Sequence, residues 1–280
     1  MTVLEVIQSA GGYLAGHGVE SSRLEAEHLL AKVLQCRRLD LYLMFDRPVS
    51  EAERAPLREL AKRRTTGEPL QHLLGEWDFY GRTFRSDGRA LIPRPETELL
   101  LECVLTRHPA EPTLRVVDVG TGSGILAISL ALERPAWSVT GLDLEAKALS
   151  LASENAALHE VTDRVQLAEA DLWRSELSAD LIVANLPYIP SGEIPTLSRE
   201  VQHDPHSALD GGHDGLELFR RFLPLARQHL SSGGWIALEF GLGQETALAQ
   251  LAEENGFTAL AITRDFQQIP RILEARKADL

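Results

Sequence analysis

The chain has little cysteine. Its 280 residues include only Cys36 and Cys103, each inside an apolar, helix-like run, and no Cys-x-x-Cys or Cys/His cluster. That argues against a structural zinc site, and so few thiols suit a reducing cytosol. Long apolar runs are also missing, so no segment reads as a bilayer-spanning helix. Met1-Thr2-Val3-Leu4-Glu5 lacks the basic start and apolar core of a secretory signal. The expectation is a cytoplasmic protein with no membrane partner. Positive charge is scarce as well: 28 Lys and Arg stand against 41 Asp and Glu, a formal net charge of -13. A surface that acidic repels phosphate backbones, so no direct nucleic-acid partner is expected. Arg37-Arg38 and Lys62-Arg63-Arg64 read as solvated helix faces rather than a basic groove. No internal repeat or low-complexity segment appears.

The material that remains suits a folded domain of moderate size, at 44% hydrophobic and 25% charged residues. Residues 1–75 read as a small helical domain, with Leu4, Ile7, Leu14, Leu24, Leu29, Leu30 and Val33 at helical spacing. Ser21-Ser22 with Glu25, and Ser50 with Glu53, look like capping boxes. Residues 76–90 change character. Trp77, Phe79, Tyr80, Thr83 and Phe84 are strand-prone, and Gly81-Arg82 supplies a turn, which predicts a linking hairpin. A stiff loop follows, Leu91-Ile92-Pro93-Arg94-Pro95, with Glu96-Thr97-Glu98 opening a helix at Leu99. From Arg115 onward strands and helices alternate, so 91–280 reads as an α/β domain with a parallel sheet covered on both faces.

Chemistry gathers at the ends of the predicted strands. Val116-Val117-Asp118-Val119 leads into Gly120-Thr121-Gly122-Ser123-Gly124. Glycines let the backbone turn tightly and approach a ligand, and the helix behind them begins with free N–H groups. Such a loop suits either dinucleotide phosphates or the carboxylate of a methionine moiety. A dinucleotide fingerprint would place its third glycine at 125, which is Ile125, and no Walker lysine follows. The Gly-x-Gly-x-Gly form after Asp118 resembles motif I of class I methyltransferases. The next strand ends in Asp143, a carboxylate able to accept both ribose hydroxyls of a nucleoside or to cap the helix behind it. A third strand leads to Asp171-Leu172, where resemblance places an acceptor for an adenine amino group and a ring contact.

A fourth apolar strand delivers Asn185-Leu186-Pro187-Tyr188 to the same edge. An amide or exocyclic amine is a weak nucleophile because its lone pair is delocalised. Two acceptors, the Asn185 side-chain oxygen and the Leu186 carbonyl, could hold both of its N–H hydrogens and favour the charge that develops on nitrogen. The Tyr188 ring could pack on the planar group. This loop alone does not separate a glutamine amide from an adenine.

Together these motifs resemble the PrmC/HemK family of peptide-chain release-factor glutamine N5-methyltransferases. The match extends to Glu68–Gly75, to Leu91–Glu98, to Ala208-Leu209-Asp210-Gly211-Gly212 with Asp214-Gly215-Leu216, and to Asp265 with Ile269-Pro270-Arg271. The resemblance implies a class I S-adenosylmethionine-dependent fold, Rossmann-like, with a seven-stranded sheet whose last two strands form an antiparallel hairpin. It implies S-adenosylmethionine contacts at Gly120, Thr121, Gly122, Ser123, Gly124, Asp143, Asp171 and Leu172, with S-adenosylhomocysteine as product. It implies glutamine contacts, and hence catalysis, at Asn185, Leu186, Pro187 and Tyr188. The partner it implies is a bacterial class-1 release factor, methylated on the glutamine of its Gly-Gly-Gln motif and docked with help from the helical domain. A monomer needing no metal is expected. One position departs from the pattern: the usual Asn-Pro-Pro-Tyr has Leu186 in place of its first proline. A carbonyl is retained there, and some rigidity is lost. Three rivals remain open: a glutamine methyltransferase of a ribosomal protein, an N6-adenine methyltransferase of nucleic acid, and a non-catalytic cofactor-binding module.

Overall fold

The computed structural model describes residues 1–110, 113–174 and 176–279. The chain divides into two compact units, Met1–Trp77 with Ser198–His203, and Asp78–Leu197 with Asp204–Leu280.

The first unit is helical: α1 (Val3–Gly16), α2 (Ser22–Leu34), α3 (Glu51–Thr65) and the short α4 (Leu70–Leu74). Thr2 and Ser50 each accept the N–H three residues on, and Glu5 and Glu53 reach back to the capping residue. These boxes satisfy donors that a helix start would otherwise leave bare. The box expected at Ser21–Ser22 does not form, and Ser21 makes no side-chain cap bond. Glu25 instead turns inward, where the Arg64 Nη2 donates to its Oε1 at 3.0 Å. Glu200, from the segment that joins this unit late in the sequence, also receives Arg64. A buried guanidinium needs such partners more than an exposed helix end needs its cap. Leu14, Leu29, Leu30 and Leu41 form the centre of this unit's core. Cys36 lies just past α2 rather than inside it.

A hairpin, β1 (Glu76–Phe79) and β2 (Arg82–Arg85), leads to α5 (Pro95–Arg107). The helix starts at Pro95, earlier than the expected Leu99, because proline at the first helical position gives up an N–H that has no helical partner anyway. The alternation then runs β3 (Arg115–Val119), α6 (Ile125–Glu133), β4 (Ser138–Asp143), α7 (Ala146–Leu158), β5 (Val165–Glu169) and β6 (Ala179–Ala184). It continues with α8 (Glu217–His229), β7 (Leu230–Glu239), α9 (Glu245–Glu254), β8 (Phe257–Arg264) and β9 (Pro270–Lys277).

The sheet order is β5-β4-β3-β6-β7-β9-β8. β9 runs antiparallel to both β7 and β8, as the resemblance implied, and the other pairings are parallel. Both faces are covered. Val117, Val119, Ile182 and Ala184 pack on one side with Phe219 and Phe222 of α8. Val116, Leu181 and Val183 pack on the other with Leu100 of α5 and Ile128 of α6. This double coverage is why the strands read as continuous apolar runs without alternation.

The order of connection creates the site. From β3 the chain moves outward to β4 and β5, then returns to the other flank of β3 as β6. Ligands of open α/β sheets bind at such a switch point, outside the carboxyl ends of the strands. Val119 pairs with Ala184 and also with Leu142, so the segments beginning at Gly120, Asp143 and Asn185 emerge side by side.

Gly124 holds α6 close to α7. Its φ is +79°, and a Cβ there would come 2.9 Å from Ala152 Cβ. Gly124→Ala should therefore lower unfolding stability by about 1–3 kcal/mol, from overpacking and left-handed strain together. Denaturant titration measures it, and a variant as stable as the parent would remove this packing role.

Candidate active site

The three strand ends surround one cavity of about 260 Å³. Among the residues expected from the sequence, Gly120, Thr121, Gly122, Ser123, Asp143, Asp171, Leu172, Asn185, Leu186 and Pro187 line it; Gly124 and Tyr188 do not. Gly124 is occupied with the helix packing just described. Gly120 and Gly122 have φ of +73° and +56°, which bends the loop sharply over the end of β3. A Cβ at Gly120 would sit 3.4 Å from Leu186 Cδ2, so the two loops are in contact.

The loop is tied down from below. Asp118 is buried and takes the Thr121 hydroxyl at 2.6 Å and the Ala127 N–H at 3.2 Å. The first turn of α6 is thus partly capped by this carboxylate, where open N–H groups were expected. Asp143 accepts the Gly122 N–H at 2.8 Å through one oxygen and the Glu145 N–H at 2.9 Å through the other. A carboxylate has about four lone-pair directions, so capacity for further donors remains. Burial pushes the Asp143 carboxyl above its ordinary range. Asp171 is exposed and forms an ion pair with Arg221 of α8 at 2.6 Å. Leu172 is buried, with φ of +68°.

The Asn185 loop is held by residues far away in sequence. The Asn185 Nδ2 donates to Thr97 Oγ1 at 3.0 Å, and that hydroxyl donates to Glu239 Oε2 at 2.7 Å. The Tyr188 hydroxyl donates to the other Glu239 oxygen at 3.2 Å, so the ring points toward β7 and away from the cavity wall. Gln244 Nε2 donates to the Tyr188 carbonyl at 2.9 Å. The Ala208–Gly212 motif lies alongside: the Ile189 N–H donates to the Leu209 carbonyl at 3.0 Å, and the Gly211 N–H to the Ile189 carbonyl at 2.9 Å. A Cβ at Gly211 would meet Tyr188 Cα at 2.7 Å, which explains a glycine there. Leu186 is 2% exposed, and its side chain joins the core beneath the glycine loop. Packing thus supplies support at the position where the usual proline is missing.

The loop at 91–98 is anchored by Asp204, whose buried carboxylate accepts the Ile92 N–H at 3.3 Å and Arg94 Nη2 at 2.7 Å. Late in the sequence, Arg271 donates to Asp265 at 3.2 Å, and Asp265 also receives the Ile269 N–H at 2.9 Å. Sequence reading missed Glu239, Gln244, Asp204 and Arg221 as parts of this site. Their partners lie dozens of positions away, and no local spacing reports them. Among the described residues no cluster of metal-ligating side chains occurs, and no helix is long and apolar enough to cross a membrane.

The cavity's chemistry fits a nucleoside bearing a methionine tail. It offers a tight glycine turn, acids at two strand ends, and apolar walls from Leu144, Leu172 and Ala148. This fold and site define a class I S-adenosylmethionine-dependent methyltransferase. The fold is shared with a methyltransferase from Pyrococcus furiosus, at a TM-score of 0.55 and 16% identity, over 71% of this chain and 91% of that one. It is shared with a ribosomal protein L11 methylase from Lactobacillus delbrueckii subsp. bulgaricus, at 0.51 and 26%, over 69% and 85%. Residues 5–75 match the PrmC N-terminal domain, and 95–191 match the ribosomal protein L11 methyltransferase (PrmA) model. Release factor glutamine methyltransferases from Geobacter sulfurreducens and Koribacter versatilis are 39% and 37% identical to it. The first alignment covers 98% of this chain and 96% of the relative, and the second 99% of each. The chain belongs to the release factor glutamine methyltransferase family.

Two buried acids underlie the two loops. Burial pushes Asp118 from 3.8 up to about 7, helped by the nearby Asp143 charge. Glu239 rises from 4.5 to about 7 for the same principal reason. Both bind a proton more tightly folded than unfolded. Their contribution to stability is therefore full below about pH 4 and is lost as pH rises through about 7. Relative to the parent, Asp118→Asn should flatten the fall in stability across that window. Denaturant unfolding at a series of pH values checks it, and an unchanged slope would show that Asp118 does not titrate there.

Proposed function

We propose that this chain transfers a methyl group from S-adenosylmethionine to the side-chain amide nitrogen, N5, of a glutamine in a class-1 peptide-chain release factor. The glutamine is that of the Gly-Gly-Gln motif. The observation that carries the reading is the placement of Asn185, which lines the same cavity as the glycine loop and turns its Nδ2 onto Thr97, so that its oxygen is the end free to accept. The names of the relatives supply the substrate class.

When bound, S-adenosylmethionine supplies an electrophilic methyl group on a sulfonium. The backbone of Gly120, Thr121, Gly122 and Ser123 would cradle the methionine end. Asp143 would accept the ribose hydroxyls, Asp171 the adenine amino group, and Leu172 would pack on the ring. Asn185 Oδ1 and the Leu186 carbonyl accept the two amide hydrogens of the glutamine. They fix the nitrogen in line for transfer and stabilise the charge it gains. Pro187 keeps residue 186 extended. Tyr188, anchored on Glu239, holds the end of the loop. Once the methyl has moved, the nitrogen sheds a proton without a dedicated base, because an N-alkylated amide cation is strongly acidic.

Labelled S-adenosylmethionine offered separately with release factor, ribosomal protein and DNA should label the release factor. Label in either of the others instead would overturn the assignment. Asn185→Ala should reduce turnover by about 100-fold or more with little change in cofactor affinity, the size seen when one oriented transition-state partner is removed. Asp143→Ala should mainly weaken cofactor binding. Equal cofactor loss in both variants would mean the amide site lies elsewhere.

A further inference from the structure

An asparagine side chain has two ends of opposite character, and its use as an acceptor requires the oxygen to face the substrate. Packing alone does not select the end, because oxygen and NH2 are nearly the same size. Hydrogen-bond partners select it. The nearest partner of Asn185 is a hydroxyl, which accepts either end equally well until its own proton is committed.

The acid beside it makes that commitment. Thr97 lies in the first turn of α5 and is buried. Its single hydroxyl proton goes to Glu239 Oε2 at 2.7 Å. Glu239 has 0% exposure and takes the Tyr188 hydroxyl on its other oxygen. With the proton spent on a carboxylate, Thr97 Oγ1 presents only lone pairs to Asn185. It can then face the Nδ2 donor, at 3.0 Å, and not the oxygen. An inverted amide would oppose two acceptors inside the core and would aim N–H at the N–H of the substrate.

We propose that Thr97 and Glu239 are positioning residues that set the polarity of the Asn185 amide and so make it an acceptor. The inference rests on the reading of Asn185 as the substrate-amide acceptor. It assigns a purpose to Thr97 within the loop at 92–98, whose sequence match carried no mechanism, and to the acid that ends β7.

The test compares the parent with Thr97→Val, Thr97→Ser and Asn185→Ala. Each is assayed for kcat and KM with a purified release factor, for S-adenosylhomocysteine affinity, and for thermal unfolding. Mildly alkaline buffer keeps Glu239 ionised. Valine matches threonine in shape but has no hydroxyl. Thr97→Val should lower kcat by about 10-fold or more with cofactor affinity within about 2-fold, and Thr97→Ser should restore kcat to within about 3-fold. A folded Thr97→Val that turns over at the parent rate, while Asn185→Ala is inactive, overturns this inference alone. So does a serine variant no better than the valine one. If Asn185→Ala also turns over normally, the reading of Asn185 itself fails. Should valine prevent folding, Thr97→Ala, which only removes atoms, is read by the same criteria.

Discussion

The register of two neighbouring parallel strands governs the rest. Val119 of β3 stands opposite Ala184 of β6, at the point where the chain reverses its direction across the sheet. Both strands end at the same level, so the glycine loop and the Asn185 loop leave the sheet touching. A slip of one residue would turn every buried side chain of β6 to the other face. The apolar pairs Val117 with Ile182 and Val116 with Leu181, packed on opposite faces, oppose such a slip. The distance between the two loops is in this sense set by hydrophobic packing well beneath either of them.

Each loop is then fixed by a buried carboxylate. Asp118 gathers the glycine loop and the start of α6 from below. Glu239 gathers Thr97 and Tyr188, and through Thr97 the Asn185 amide. Water is excluded at both places, which is why both acids lie near neutrality rather than at ordinary carboxylate values. Low dielectric strengthens these bonds and makes any missing partner costly. Preorganised acceptors of this kind lower a barrier without reorganising as charge develops. At Leu186, where the family pattern has a proline, the side chain is locked in the core.

Much of this could be read from the residues. The strands were legible because sheets covered on both faces need unbroken apolar runs, and the glycine loop because its turn needs positive φ. The Ser50 cap was legible because it is local. The Ser21 cap was not, since Glu25 answers to Arg64, a partner outside any sequence window. The same reason hid the grouping of Ser198–His203 with the helical unit, and the tie between Asn185, Thr97 and Glu239. Gly124 looked like part of the ligand cradle, yet it faces Ala152. Spacing reveals that a glycine is required but not which neighbour requires it.

Membership of the release factor glutamine methyltransferase family rests on near full-length likeness, and the geometry says how such chemistry could be done here. The central claim is that a planar amide is held by Asn185 Oδ1 and the Leu186 carbonyl beside the glycine loop. A crystal structure with S-adenosylhomocysteine and a glutamine-bearing release factor or peptide measures this directly. The account predicts the glutamine nitrogen within hydrogen-bond distance, about 3 Å, of both oxygens, and facing the cofactor sulfur. A glutamine bound with its carbonyl toward Asn185, or held at another strand end, would contradict it.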